Sequence, residues 1–433
     1  MNPFLDIKSV QKESPQRMYA RVDSVESLDP EGAENLIYAA GVDAGWFDNM
    51  IGPYLEGDKL PPSALEKMDE APIAITEFIL ERDEDPEFGK LGEFAQPGNW
   101  LKIERTYPGL PATQYASLFG PPTQVNVSIE HVRREFARKL DSAFSLPQVP
   151  DEPRGEIEDR LRRAGLIDFI AVMDVGQGNA CGLWRGGSGA ALYFDVGGGV
   201  LTNARTFPDG RVKFCLSQTP AIVLSHWDWD HWSSAMRFPE LLDCWWLAPR
   251  QQLDPIHLAF AWQLFQKRSL HVWPDAYPSI SGGLVRLERC RNGKTNDKNN
   301  NGLALTIATH SPDQTPIKFL LPGDADFDSI PSVNNGEAFD GLVASHHGAN
   351  VKAIGQLKST GNSGPLVYSV GHGNGYGHPR LNALLEYLQA GWLPPRTYST
   401  TQSRRNRPCT IGIRLNRTNL TTGCPQCRPR IWS

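Results

Sequence analysis

The stretch Ser225-His226-Trp227-Asp228-Trp229-Asp230-His231-Trp232 puts two imidazoles and two carboxylates within six residues. A short apolar run, Ala221-Ile222-Val223-Leu224, precedes it and reads as a buried strand. On an extended or looped backbone alternate side chains share a face. His226, Asp228 and Asp230 can therefore converge, and a turn brings His231 to them. Imidazole combined with carboxylate suits borderline divalent cations such as zinc or manganese. The plainer reading, a polar loop of solvated histidines, leaves the crowding of four ligand-type side chains unexplained.

Further ligand-type residues close other apolar runs. Asp174 opens Asp174-Val175-Gly176-Gln177-Gly178-Asn179-Ala180, and Asp195 ends Tyr193-Phe194-Asp195-Val196-Gly197. Asp324 follows Phe319-Leu320-Leu321-Pro322-Gly323, His346 and His347 follow Val343-Ala344-Ser345, and His378 lies in Asn374-Gly375-Tyr376-Gly377-His378-Pro379. Glycines beside these runs let the backbone turn tightly and bring the polar ends to one rim.

The elements that must carry them are short. Apolar runs at 167–173, 190–194, 221–224, 303–307, 317–321, 342–344 and 366–370 read as strands. Pro255–Arg268 and Pro379–Ala390 have the look of helices, so layered α/β packing is expected. His257 and His271, in a helix-like region, and His310, at a hairpin tip, read as structural.

This order of motifs resembles the metallo-β-lactamase fold superfamily of metal-dependent hydrolases. More specifically, it is similar to the metallo-hydrolase domain of the ComEC family of DNA-uptake proteins, over roughly Asp168 to Ala390. The carrying residues are Asp174–Ala180, Asp195-Val196-Gly197, the His-x-Asp-x-Asp-His at 226–231, and Asn300-Asn301-Gly302-Leu303. Pro322-Gly323-Asp324-Ala325, Ser345-His346-His347-Gly348 and Tyr376-Gly377-His378-Pro379 complete the set. The chain departs from the pattern at Asn179, where aspartate is usual, at Ser233-Ser234, where two glycines are usual, and at Arg380, where a second histidine often stands. A counterpart of the lactamases' third-motif histidine is not evident. The membrane channel of ComEC proteins is absent, so DNA uptake is not implied.

The resemblance implies a four-layer αβ/βα sandwich and two divalent ions, zinc or manganese. His226 and Asp228 would hold one ion and Asp230, His231 and His346 the other, with Asp324 bridging. His346 is preferred to His347 because it directly follows Ser345. A metal pair of this kind activates a water toward hydroxide for attack on phosphorus or a carbonyl. Asp230, His347 and His378 are the candidates for the catalytic step. His378 would donate a proton to a leaving oxygen or grip a phosphate, unless it is only a turn histidine ahead of Pro379. Asn301, Tyr376 and Arg380 would contact the same phosphate. Asp174 and Asp195 would orient the ligand loop by hydrogen bonds. Trp227, Trp229 and Trp232 would either stack a base or pack beneath the loop.

Composition bounds the rest. The chain of 433 residues is 40% hydrophobic and 21% charged, which suits a soluble globular protein of two or three domains. Nothing approaches a membrane-spanning apolar run, and the N-terminus has no secretory pattern, so the cytoplasm is the expected location. The net charge of −6 divides into −14 over residues 1–160 and +8 over residues 161–433. Residues 396–433 hold eight arginines and no acid, which favours polyanions or makes a solvated surface. Cys409, Cys424 and Cys427 would meet only if the tail forms a hairpin; free thiols are the commoner alternative to a structural zinc site.

Three segments are therefore expected. Residues 1–160 form an acidic accessory domain, mainly helical, with a helix from Ser128 to Phe144 capped by Ser128. Residues 161–395 form the hydrolase domain, and 396–433 an arginine-rich extension. The implied activity is hydrolysis of phosphodiesters in nucleic acid or nucleotides. A small-molecule phosphodiesterase, acting on a phosphocholine ester or cyclic nucleotide, is the second enzyme reading. An effector subunit whose acidic N-terminal half binds a protein partner is the third.

Overall fold

The computed structural model describes the chain except residues 9–12, 29–33, 56–64, 82–90, 147, 168, 186–188, 292, 294–295, 311–315, 361–363, 394–410 and 415–433. Cys409, Cys424, Cys427 and most of the arginine-rich extension lie outside the described residues. The chain forms two compact units: Met1–Gln148 with Gln251–Arg268, and Val149–Arg250 with Ser269–Ser433.

The first unit is built on strands. β1 (Arg17–Ser27), β2 (Glu34–Asp43), β3 (Ile73–Glu81), β4 (Trp100–Tyr115) and β5 (Thr123–His131) form one antiparallel sheet in that order. β1 also pairs with β4, so Met18 faces Ile103 as well as Asp43. Every second residue turns inward: Met18, Ala20 and Val22 meet Ile37, Ala39, Ala74 and Phe78 in one core. The expected mainly helical domain is thus corrected. Leu36–Ala40 is buried throughout and Ile73–Leu80 is buried to Thr76 and alternates beyond it; such runs of β-branched, aromatic and small residues suit strands. Ser128 lies within β5 and caps nothing; the helix begins only at Arg134 and ends at Ala143. The four-residue spacing of Phe136 and Leu140 is helical, but it does not extend back through Gln124–Glu130, where alternation governs.

The helix Pro255–Gln266 belongs to this first unit. Asp254 caps it, accepting from the backbone N–H of Ile256 and His257 at 2.8 Å each, and Pro255 holds the first helical position. His257 Nε2 lies 3.1 Å from Asp23 Oδ1 and 3.3 Å from Asp254 Oδ2, all three side chains fully enclosed.

The second unit holds two seven-stranded sheets. Along the chain, β6 (Phe169–Val172), β7 (Ala180–Arg185) and β8 (Gly189–Val196) run antiparallel, and β9 (Ala221–Val223), β10 (Trp245–Ala248) and β11 (Leu270–Val272) continue parallel to β8. The second sheet begins with the antiparallel strands β12 (Ser279–Gly282), β13 (Val285–Arg289), β14 (Leu303–His310) and β15 (Pro316–Leu321). The short strands β16 (Ala338–Phe339) and β18 (Lys358–Ser359) pair only with each other. β17 (Gly341–Val343), β19 (Gly364–Val367) and β20 (Trp392–Leu393) extend the second sheet parallel to β15. β21 (Ile411–Arg414) pairs with β6 at the edge of the first sheet.

Alternation sorts the core. Leu303, Leu305 and Ile307 of β14 join Val172, Leu183, Phe194 and Val223 of the first sheet in a shared interior, with Ile157 and Leu161 of the helix Arg154–Arg163. Ala304, Leu320, Leu342 and Leu366 face the other way, against Tyr387 of the helix Leu381–Gln389. A sheet covered on both faces needs near-continuous apolar strands, which is why these runs were legible as strands. Full burial of each such leucine or isoleucine stabilises by about 1.5–3 kcal/mol. The architecture is mixed α/β with several sheets, consistent with an αβ/βα sandwich. Among the described residues no helix is long and apolar enough to cross a membrane.

Candidate metal centre

The chemistry-bearing residues follow the C-terminal ends of strands from both sheets. Asp195 ends β8, Ser225–His231 follows β9, Asp324 follows β15, and Ser345–His347 follows β17. Two close approaches pin this rim. Leu303 N–H donates to the Ser225 carbonyl at 2.8 Å, which ties the second sheet to the ligand loop of the first. Gly323, at φ +61, has room for no side chain, since a Cβ there would lie 2.8 Å from that of Ser225.

Three histidines present one ring nitrogen each to the centre because the other is already committed. His231 Nδ1 donates to Asp195 Oδ2 at 2.8 Å, and His347 Nδ1 donates to the Ser369 carbonyl at 2.9 Å. The Ser225 hydroxyl gives its proton to Asp195 Oδ2 at 2.8 Å, so it accepts from His226 Nδ1 at 3.0 Å. The Nε2 atoms of His226, His231 and His347 are buried and have no hydrogen-bond partner. They surround Asp324, whose carboxylate is 3.2 Å from His231, 3.7 Å from His347 and 3.9 Å from His226. Asp230 Oδ2 lies 3.2 Å from His347 Nε2.

At this rim two groups have their ligand atoms within 4.8 Å of one another: His226 with His231 and Asp324, and Asp230 with His231 and His347. Buried imidazole lone pairs facing carboxylates are the donor set that zinc or manganese takes, so the side chains fit a divalent ion. The electrostatics agree. Burial works against a proton on His231, but Asp324 and Asp195 outweigh it and hold the pKa well above the usual imidazole range. Burial likewise pushes Asp324 up, and His231, His347 and His346 more than reverse this, holding it well below the usual carboxylate range. A field that so favours a proton at this point favours any cation there, and metal binding would release that proton.

The supporting residues give Asn179, Ser233 and Ser234 definite roles. Asp195 accepts from Ser225 N–H at 2.7 Å and from the Asn179 amide at 2.8 Å in addition to His231. An aspartate at 179 could not donate that bond. Asn179 N–H also holds the Asp230 carbonyl at 3.0 Å. Ser233 and Ser234, in place of glycines, donate to the carbonyls of Gly198 and Gly197 at 2.9 and 2.5 Å. Asp174 is met by Gly176 N–H at 3.4 Å, within its own turn.

The sequence reading preferred His346 to His347 as a ligand. The structure brings His347 into the ligand group, buried and oriented by Ser369, while His346 approaches Asp324 at 3.6 Å from a side that is 21% exposed. Both residues have positive φ, 49° and 55°, and that tight turn decides which ring goes inward. His378 is buried and stacks at 6.5 Å between centroids against His347. Burial, then His346, His347 and Arg380, push its pKa well below the usual imidazole range, so it is neutral near pH 7. A neutral imidazole can give or take a hydrogen bond and does not serve as a cationic acid. The Tyr376 ring lies 5.6 Å from that of His378. Asn301 donates to the Asp297 carbonyl at 2.9 Å. Trp227, Trp229 and Trp232 are buried, with the Trp227 indole donating to Pro249 at 2.9 Å, so they pack beneath the loop and offer no stacking platform.

Sequence reasoning missed Lys298. Its ammonium pairs with Asp228, and its side chain is only 7% exposed. The one available signal was its place in the polar loop ahead of Asn299–Asn301. His257 sits with Asp23 and Asp254 in a further group whose ligand atoms lie within 4.8 Å of one another, and His271, in β11 and not in a helix, meets Glu152 at 2.7 Å.

No protein-family model matches this chain, and no curated protein matches it. Among solved structures, zinc-bound PqqB from Methylobacterium extorquens is 8% identical, with the match covering 51% of this chain and 85% of that one at a TM-score of 0.31. A long-form RNase Z from yeast is 10% identical, covering 69% of this chain and 50% of that one at a TM-score of 0.32. The chain thus spans half the length of that yeast protein. At such distance, fold and function rest on this chain's own topology and side chains.

Proposed function

We propose that this protein is a metal-dependent hydrolase of the metallo-β-lactamase kind, acting on phosphodiesters of nucleic acid or nucleotides. The observation that carries the reading is the convergence of three buried, partner-free imidazole Nε2 atoms on Asp324. Buried polar atoms without partners are costly, and a rim that carries three of them together is shaped for a ligand that supplies the missing bonds.

A divalent ion supplies a nucleophile at neutral pH by lowering the pKa of bound water from about 15.7 toward ~7. The chain's own residues do the rest. Asp195, Ser225 and Ser369 fix the imidazole tautomers, so no reorganisation is needed when the ligand arrives. Asp324 and Asp230 set the negative field. His378, kept neutral, offers an N–H to a phosphoryl oxygen, and Arg380 beside it adds positive charge. The net charge of +8 over residues 161–433 supports a polyanionic substrate.

The test is a panel of single-stranded DNA, duplex DNA, RNA, cyclic nucleotides and a phosphocholine ester, assayed with manganese and with zinc. Hydrolysis of at least one phosphodiester is expected, abolished by chelation and in Asp324→Ala. Apparent affinity for a polymeric substrate should fall steeply with salt, that for a small ester little. Full activity in chelated protein or in Asp324→Ala would overturn the reading.

A further inference from the structure

We propose that the centre takes a single divalent ion, held by Asp230, His231, His347 and Asp324, and that the Lys298 ammonium on Asp228 stands where a second ion would otherwise be needed. This rests on the reading of the rim as a metal centre and departs from the two ions that the motif resemblance implies.

The first reason is the count of lone pairs. Both ligand groups at this rim draw on His231. That ring has its Nδ1 committed to Asp195 at 2.8 Å, which leaves one Nε2 lone pair. One lone pair serves one ion, so the two groups are alternatives and cannot be filled together.

The second reason is charge. Without His231, an ion on the other side would have His226, Asp228 and Asp324. Asp228 is the residue that pairs with Lys298, and it belongs to neither ligand group. His226 Nε2 lies 3.2 Å from Asp228 Oδ2, so an ion on His226 would face the ammonium at close quarters. Like charges this near repel strongly in a partly desolvated site. The group of Asp230, His231 and His347 contains neither residue and is the one left for the ion.

The third reason is that Lys298 is placed. Asp297, next to it, accepts from Asn300 N–H at 3.0 Å and from the Asn300 amide at 2.9 Å. The same amide reaches Asp326 at 3.0 Å, and Asp326 N–H donates back to Asn300 Oδ1 at 2.7 Å. The turn is thereby anchored beside Asp324, and it runs directly into β14, whose Leu303 is bonded to Ser225. A lysine carried on such a turn and almost fully covered is a fixed charge.

The experiment measures metal content of the full chain after saturation with manganese and removal of the excess, together with the manganese electron paramagnetic resonance spectrum. The wild type should hold about one ion per chain with an uncoupled spectrum, and Lys298→Met should hold about two with a spin-coupled signal. Lys298→Arg, which keeps the charge, should stay at about one. About two ions in the wild type would overturn the proposal while leaving the metal-centre reading intact; no bound metal at all would overturn that reading itself. Lys298→Met remaining at about one ion, with circular dichroism showing it folded, would remove the lysine from its assigned role. Should Lys298→Met not fold, Lys298→Gln decides the same point.

Discussion

His231 Nδ1 and Asp195 Oδ2 meet at 2.8 Å with both side chains wholly enclosed. The bond does more than add stability. It keeps one imidazole proton on Nδ1, so the proton that a metal would displace is the one on Nε2, which faces Asp324. Asp195 can serve because a carboxylate only accepts, and here its oxygens take four donors: Ser225 N–H, the Ser225 hydroxyl, the Asn179 amide and His231.

Asp195→Asn should therefore weaken metal binding about 10- to 100-fold while the ligands themselves stay in place. An asparagine must turn its NH2 toward at least one of these donors, and His231 is then free to carry its proton on Nε2. Isothermal titration with zinc reads the effect. Unchanged affinity would mean that Asp195 only packs the loop.

Gly197 is the least replaceable backbone position under the ligand loop. A Cβ built there would lie 1.5 Å from the Asp230 carbonyl oxygen, and no side-chain movement relieves a clash with backbone. Its N–H also bonds the Asn179 carbonyl at 2.7 Å, and Asn179 in turn holds Asp230. Gly197→Ala should displace the Asp228–His231 segment, lower the melting temperature and abolish tight metal binding. An alanine variant with wild-type metal affinity would show that the loop is not seated on β8.

Much of this centre was legible because each ligand follows an apolar run, and apolar runs buried on both faces announce strands. Asp195 reads from the sequence as a residue that orients the ligand loop by hydrogen bonds, but its particular partner His231 does not. What was not legible depends on contacts that local pattern does not encode. Lys298 reaches Asp228 from a loop of the other sheet, and its place in a polar loop does not name its partner. His346 and His347 are adjacent, so strand counting cannot say which ring turns inward. The N-terminal unit was misread because helical spacing in Arg134–Ala143 was extended back into a strand whose inward residue is Val127.

His378 gives the protein an acid-sensitive element. Burial and the neighbouring His346, His347 and Arg380 hold its pKa well below 6.5. Below about pH 6.5 the unfolded chain takes up a proton at this residue and the folded chain does not. The unfolded state then binds more protons, so stability present above pH 6.5 is lost as pH falls toward the depressed folded value. His378→Gln should flatten that part of the loss in metal-free protein, read as urea midpoints from pH 8 down to about pH 5. Identical slopes for variant and wild type would show that His378 titrates normally.

His257 is the corresponding test for the first unit. Its Nε2 stands 3.1 Å from Asp23 and 3.3 Å from Asp254, and the buried Arg21 feels both carboxylates. His257→Leu keeps the volume but leaves the two buried carboxylates facing each other without the imidazole. Breaking a buried pair from one side costs about 3–5 kcal/mol, whereas replacing both partners by apolar groups costs much less. The double variant His257→Leu/Asp23→Leu should therefore be more stable than His257→Leu alone, and chemical denaturation of the set gives the coupling. Strictly additive losses would show that no charge pairing operates there, and that His257 holds the helix Pro255–Gln266 by packing alone.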